Sequence, residues 1–323
     1  MADTIDLLTA AIRTEFINSF TSVADPAPIE SALLRIPSTA RQENYPWMAP
    51  VPGVAVYNGF RRWAKIANIK YQLFNQEFSV EFEINTVDLD DDQTGGFAKK
   101  GGELGQKMKI WPNRYSLQNV GKAAVLTAAP ASAMCFDGSP MFSVAHNFGV
   151  GGTAAFPGNI VQFQCANTQG TNRIVAFITN GDMKPMLWQD REGPDFQTDA
   201  GTPESKKAKL ARYWCDSRGA PGFTYWWHGT LCIVNGTPTI VEMQQIFGLI
   251  SAQFRSYAMP IVLPTDTPEY IHEQTKFSAS NLLLVVSANI EHITQQALTL
   301  SLIGATDNAY KGWADFTATN FLN

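Results

Sequence analysis

Four histidines and four cysteines in 323 residues leave little from which to build an active site. The cysteines, at 135, 165, 215 and 232, are irregularly spaced and form no C-x-x-C pair. That excludes a zinc knuckle and gives no disulfide framework. Buried, reduced thiols are the plain reading, and they suit a reducing cytoplasm. Long apolar runs are also missing: Leu282 to Val286 is strand-length, far short of the ~18 residues a membrane span needs. The first residues lack the basic-then-apolar pattern of a secretory signal, so a soluble protein made in the cytoplasm is expected. Positive charge is not in excess either. A net charge of −5 argues against a broad grip on nucleic-acid phosphates, though not against a local basic strip. What is present is a core: 45% hydrophobic and 11% aromatic residues exclude a disordered chain.

Along the chain, Ile5, Leu8, Ile12, Phe16 and Phe20 recur at three- and four-residue steps, which predicts an amphipathic helix over 3–22. Asp25-Pro26-Ala27-Pro28 stops it, and an extended arm follows as far as Pro46. Residues 60–84 read as a long β-hairpin. Ala67, Ile69, Tyr71 and Leu73 alternate with polar residues, as do Phe78, Val80, Phe82 and Ile84, and the parity switches near Asn75-Gln76. Asp88 to Asp92 precede a helical stretch over 94–110. Carboxylates there suit the positive end of a helix dipole. Pro112 is expected to break or restart that helix, with a second piece reaching about Ala124. Further on, short strands are expected at 160–165 and 174–178, a polar loop at 192–205, and an apolar strand over 223–234. A helix at 239–257, a strand at 282–286 and a helix at 289–302 close the pattern. Asn235-Gly236-Thr237-Pro238 is the best boundary candidate.

Little of this carries chemistry. The aspartate cluster opens like a calcium loop, but Gln93 stands where glycine is required and Lys99 where glutamate is required. A helix cap is the better reading. Cys135 and His146 are a conceivable nucleophile and base, without any local signature to support the pairing. Gly149, Gly151 and Gly152 lack the strand-to-helix frame and lysine of a phosphate loop. No catalytic residue, metal site or cofactor is indicated.

Lys99, Lys100, Glu103 and Lys107 share one helical face. The plain reading is a solvated face paired through Glu103. The functional one is a basic strip, with Lys99, Lys100 and Lys107 facing packaged DNA or an acidic partner. Gly95, Gly96, Gly101, Gly102 and Gly105 crowd the same stretch, and each costs roughly 1 kcal/mol against alanine inside a helix. Such a helix needs neighbours to hold it. A long two-stranded ribbon is marginal alone for the same reason, and an arm plus a ribbon becomes stable by lying on another subunit.

These landmarks, in order, resemble the Mu-like phage major head protein family, the gpT type. The matching residues begin with Tyr45-Pro46-Trp47-Met48, Gly59-Phe60-Arg61-Arg62-Trp63 and the set Tyr71, Leu73, Asn75 and Phe78. They continue through the aspartates 88–92 to Phe136-Asp137-Gly138, Met141-Phe142-Ser143 and His146. A second block holds Lys184-Pro185, Gln189, Arg191, Asp195-Phe196, Tyr213, Asp216, Arg218, Gly222-Phe223 and Trp226-Trp227. About 90 residues follow that block, where the family usually ends, and the resemblance then implies a domain order rearranged relative to the family, with the axial domain last.

The resemblance implies an α+β chain with the HK97-type capsid fold. Residues 1–42 would be the N-terminal helix and arm, and 43–87 an extended β-hairpin loop. Residues 88–235 would be the peripheral domain with its long spine helix, and 236–323 the axial domain. It implies a non-enzymatic major capsid protein of a tailed bacteriophage, assembled in the host cytoplasm into hexamers and pentamers of an icosahedral virion shell. Its partners would be its own copies, a separate scaffold protein, a portal, a cement protein, and packaged double-stranded DNA held by weak non-specific contacts; no membrane is involved. Trp47, Trp63 and Phe78 become candidates for inter-subunit contact. Gly95, Gly101 and Gly102 become candidates for letting the spine helix bend in an immature shell. An encapsulin-like compartment shell, a phage decoration or tail protein, and a hydrolase built on Cys135 and His146 are the rival readings.

Overall fold

The computed structural model describes residues 2–24, 28–48, 57, 59, 61, 71–92, 94–125, 129–147, 155–260, 268–270, 282–303 and 306–322. From the N-terminus, α1 (Ala2–Ser22) leads through a 3₁₀ turn to β1 (Leu33–Pro37) and β2 (Gln42–Asn44). β3 (Gln72–Phe74) and β4 (Gln76–Asn85) precede the short α2 (Thr86–Asp90) and the long α3 (Ala98–Ala124). Next come β5 (Ala145–Asn147), β6 (Ala155–Pro157), β7 (Ile160–Gln164), β8 (Thr171–Ile178) and β9 (Met186–Thr198). α4 (Pro203–Ala208) joins β9 to β10 (Leu210–Phe223), and β11 (Gly229–Asn235) runs into α5 (Ile240–Ser256). β12 (Ala258–Pro260), β13 (Pro268–Tyr270) and β14 (Leu282–Ser287) follow. Then come α6 (Glu291–Thr299), β15 (Leu302–Ile303), β16 (Thr306–Asp307) and β17 (Asp315–Thr319).

Two larger sheets organise the chain. In the first, of order β1-β9-β10-β4, β10 lies antiparallel to both β9 and β4 while β1 runs parallel to β9. Period-two alternation puts Phe78, Val80, Phe82 and Ile84 on one face and Glu77, Ser79, Glu81 and Glu83 on the other. α1 and α3 cover the apolar face. Ile5 and Ile12 pack with Ile84 and Tyr213, and Phe16 with Leu104, Met108 and Cys215. The second sheet has the order β17-β14-β8-β11-β7. β14, apolar from Leu282 to Val286 and flanked by strands on both sides, is buried at every position including Ser287. α5 lies on β7 and β11 and α6 on β14. The amphipathic α5 begins with a full capping box between Thr239 and Glu242.

Several expectations need correction. β3 and β4 do not form a hairpin. β3 pairs with β2, and β4 runs along β10 in an unbroken register from Gln76 to Asn85. The parity switch at Asn75 marks a change of partner, because the apolar side of β4 is needed under α3. Pro112 does not break α3, which passes through it as one helix about 40 Å long. Gly95 and Gly96 lie in the turn before that helix, not within it. The stretch 192–198 belongs to β9 rather than to a loop, since register shifts against β10 absorb Gly193 and Pro194. The apolar run 223–234 is two strands' worth of chain, divided by the turn Trp226–His228. The five-stranded sheet draws β7, β8 and β11 from before residue 235, and β14 and β17 from after it.

Candidate assembly surface

Residues far apart in sequence meet in one polar network beside the four-stranded sheet. The Tyr45 hydroxyl donates to Gln189 Oε1 at 2.6 Å, and Gln189 Nε2 donates to Asn75 Oδ1 at 2.7 Å. Asn75 Nδ2 donates to Ser38 Oγ (2.9 Å) and to the Ala40 carbonyl (2.8 Å). The Glu43 carboxylate accepts from the backbone N–H groups of Thr39 and Ala40 and from the Ser38 hydroxyl, contacts that hold it below its ordinary pKa. Gln189 is fully buried and Tyr71 nearly so. The Tyr71 hydroxyl accepts from the Phe223 N–H at 3.0 Å, and burial pushes its pKa up. The network joins the segment 38–45 to Asn75 and to Gln189 of β9.

A second buried cluster disposes of the candidate catalytic pair. His146 Nδ1 lies 2.9 Å from Asp137 Oδ2, and its Nε2 lies 3.3 Å from Asn159 Oδ1. The ring stacks on Trp226 at 4.5 Å between centroids. Cys135 points elsewhere. Its thiol lies 3.3 Å from Met141 Sδ, and burial raises its pKa well above the usual thiol range. Among the described residues no base is hydrogen-bonded to this thiol, and a buried thiol with a raised pKa is a poor nucleophile at neutral pH.

The surface candidates separate into three outcomes. Trp47 is 49% exposed, with its ring edge-on to Tyr45, and is available to a neighbour. Phe78 is committed largely within the subunit. It packs against Trp111 (5.5 Å), Tyr115 (5.0 Å) and Trp188 (6.1 Å). Its remaining surface lines a groove of about 560 Å³ between β4 and α3, shared with Val80, Met108, Ile110 and Trp111. Trp63 lies outside the described residues. Lys100 and Lys107 both pair with Glu103 at 3.0 Å, and Lys99 stands exposed on the same helix.

The glycines of α3 have a use inside the subunit. A Cβ on Gly101 would sit 2.1 Å from the Ile12 carbonyl oxygen, and one on Gly105 would sit 2.4 Å from that of Phe16. At Gly102 the obstacle is the Ser19 side chain, at 2.8 Å. Backbone therefore meets backbone where α1 crosses α3. Gly95, with φ +65°, opens into free space.

The sheet face away from α1 and α3 went unnoticed in the sequence. It carries Glu77, Glu81, Glu83, Glu192, Asp195 and Asp216, with Arg218 bridging Glu77 (3.3 Å) and Glu192 (3.2 Å) and Arg212 near Glu83 (3.5 Å). Only the cross-strand register gathers these residues; the alternating glutamates of β4 were the one available signal.

The Mu-like prophage major head subunit gpT family matches residues 5–232. No curated protein matches the chain. Among solved structures, the procapsid of bacteriophage JBD30 is 19% identical with a TM-score of 0.66, and the match covers 98% of each chain. The JBD30 capsid is 16% identical with a TM-score of 0.68, covering 93% of this chain and 92% of that one. A JBD30 capsid decorated with minor capsid protein trimers scores 0.69 at 16% identity, over 93% and 92%. At such identities the likeness shows the fold, an α+β capsid fold of the HK97 type.

Proposed function

This chain belongs to the Mu-like prophage major head subunit gpT family and is a major capsid protein of a tailed phage; from that premise we propose that its copies form hexamers and pentamers that close into an icosahedral shell around double-stranded DNA. The observation that carries the reading is the family match over 5–232, joined to a fold shared with phage capsid chains along nearly their whole length. An encapsulin-like compartment, or a decoration or tail protein, is not what this family supplies.

The division of labour follows the two sheets. The four-stranded sheet with α1 and α3 serves as the peripheral unit, with α3 as its spine, and the five-stranded sheet with α5 and α6 serves as the axial unit. Trp47, the Phe78-lined groove and the acidic open sheet face are the surfaces offered to neighbouring copies. A heterologous contact of this kind closes into rings without a two-fold axis. Lys99, Lys100 and Lys107 form the basic strip for DNA or an acidic partner; because Glu103 neutralises part of it, contact with DNA stays weak. Bending of α3 at Gly101 and Gly102 would have to carry α1 with it. The subunit performs no catalysis, a reading supported by the sealed Cys135 and the engaged His146. A separate scaffold, a portal and a cement protein complete the assembly.

The test is expression with and without the scaffold gene of the same phage, followed by sedimentation and electron microscopy. Closed shells or free capsomers are expected. A chain that stays monomeric in both conditions would contradict the proposal.

A further inference from the structure

The main chain passes repeatedly between the two sheets, and three of those passages are tied together by polar contacts at two places, Thr224 and Asn159. The first leads from α3 to β7 and contains Asp137, His146 and Asn159. The second, residues 179–185, leads from β8 to β9, and the third, residues 224–228, leads from β10 to β11. The second and third are tied at Thr224, whose N–H donates to the Pro185 carbonyl at 3.0 Å and whose hydroxyl donates to the Lys184 carbonyl. The Lys184 ammonium closes its own loop on the Thr179 carbonyl.

The first and third passages are tied at Asn159, which is fully buried. Its Nδ2 faces three carbonyl oxygens: Met141 at 2.7 Å, Trp226 at 3.0 Å and Gly229 at 3.1 Å. Carbonyls only accept, so the amide orientation is fixed and Oδ1 must be the acceptor for the Ser143 N–H (3.0 Å) and for His146 Nε2 (3.3 Å). His146 Nε2 therefore carries a hydrogen. Its other nitrogen is held by Asp137, whose second oxygen accepts from the Ser139 N–H at 3.0 Å. The flat face of His146 lies on Trp226, in the middle of the third passage, with the two rings 5° from parallel. The side chains of both His146 and Asp137 are 0% exposed.

We propose that the Asp137–His146–Asn159 cluster is a staple that sets the angle between the two sheet units and makes the capsid subunit one rigid body. Apolar packing continues across the junction, where Trp188 and Phe223 share a core with Phe142, Phe177 and Leu284. That packing is non-directional, so by itself it favours contact more than one particular angle. Hydrogen bonds converging on a single amide select one geometry. A shell subunit held this way leaves curvature to be adjusted between subunits. The proposal concerns the free subunit, so it can fail while the capsid assignment stands, and the reverse.

The test places spin labels on two exposed positions, one in each unit, through Glu81→Cys on β4 and Ala252→Cys on α5. The four native thiols are buried. Distance distributions are measured by pulsed electron resonance on unassembled subunits. The staple predicts one narrow distribution in the otherwise unaltered chain. It predicts a distribution about twofold broader in Asn159→Ala and His146→Ala, with a cooperative melt retained. Asp137→Asn, which keeps the side-chain shape, is the milder third variant. A broad distribution in the unaltered chain overturns the proposal, and so does a narrow one in folded variants. Failure of all three variants to fold overturns it too, because the cluster would then be part of the fold rather than a setter of angle.

Discussion

Asp92 braces the turn that leads into α3. Its carboxylate accepts from the N–H of Phe97 (3.0 Å), from the Thr94 hydroxyl (2.9 Å), and from the N–H groups of Gly96 and Thr94 (both 3.1 Å). These bonds, the one from Phe97 first, draw its pKa from 3.8 to about 2. A depressed folded-state pKa gives stability that is present above the ordinary value and lost as the pH falls through the lowered one. Asp92→Asn should therefore remove a stability loss that the native chain shows between about pH 3.8 and about 2, and denaturant melts across that window measure it. The sequence pattern led to a cap on the helix itself, and the bonds fall instead on the turn 94–97; only a carboxylate standing before the helix was legible. Asn159 was not. Nothing local distinguishes it, and its role exists only because Met141, Trp226 and Gly229 bring their carbonyls to it.

At the scale of elements, the pairing of α1 with α3 depends on carbonyls lying against glycine Cα atoms. Gly101→Ala or Gly105→Ala should destabilise the subunit by about 1–3 kcal/mol, because backbone rather than a flexible side chain stands in the way. Calorimetry should show a lowered Tm, and proteolysis should show α1 released first. Gly95→Ala meets no neighbour, and its smaller cost comes from the left-handed backbone alone. The sequence showed that this helix needed neighbours, since Gly101, Gly102 and Gly105 weaken it, but not that α1 was the neighbour. Helices α1, α5 and α6 and strands β8 and β14 were legible because each has a single apolar face or none exposed. β9 and β10 were not. One face of each is solvated and charged, and Gly193, Pro194 and Pro221 imitate loop punctuation that bulges and cross-strand pairing absorb.

For the whole molecule, the open acidic face of the four-stranded sheet is the surface whose charge can be reversed without touching a core. Replacing Glu77, Glu81 and Glu83 together by lysine should leave the subunit folded, because the side chains stand in solvent. The same change should abolish or misdirect assembly, visible by sedimentation as subunits that remain small. The fold class and the capsid assignment were legible from ordered landmarks spread over 45–227. The strand membership of the two sheets was not, because the five-stranded one interleaves segments from both sides of residue 235. The most direct measurement is electron microscopy of the chain expressed with its phage's scaffold gene. Closed icosahedral shells whose density fits this subunit, with the two sheets as separate peripheral and axial units, are the predicted result; a chain recovered only as a monomer, with no shell or capsomer, would contradict the account.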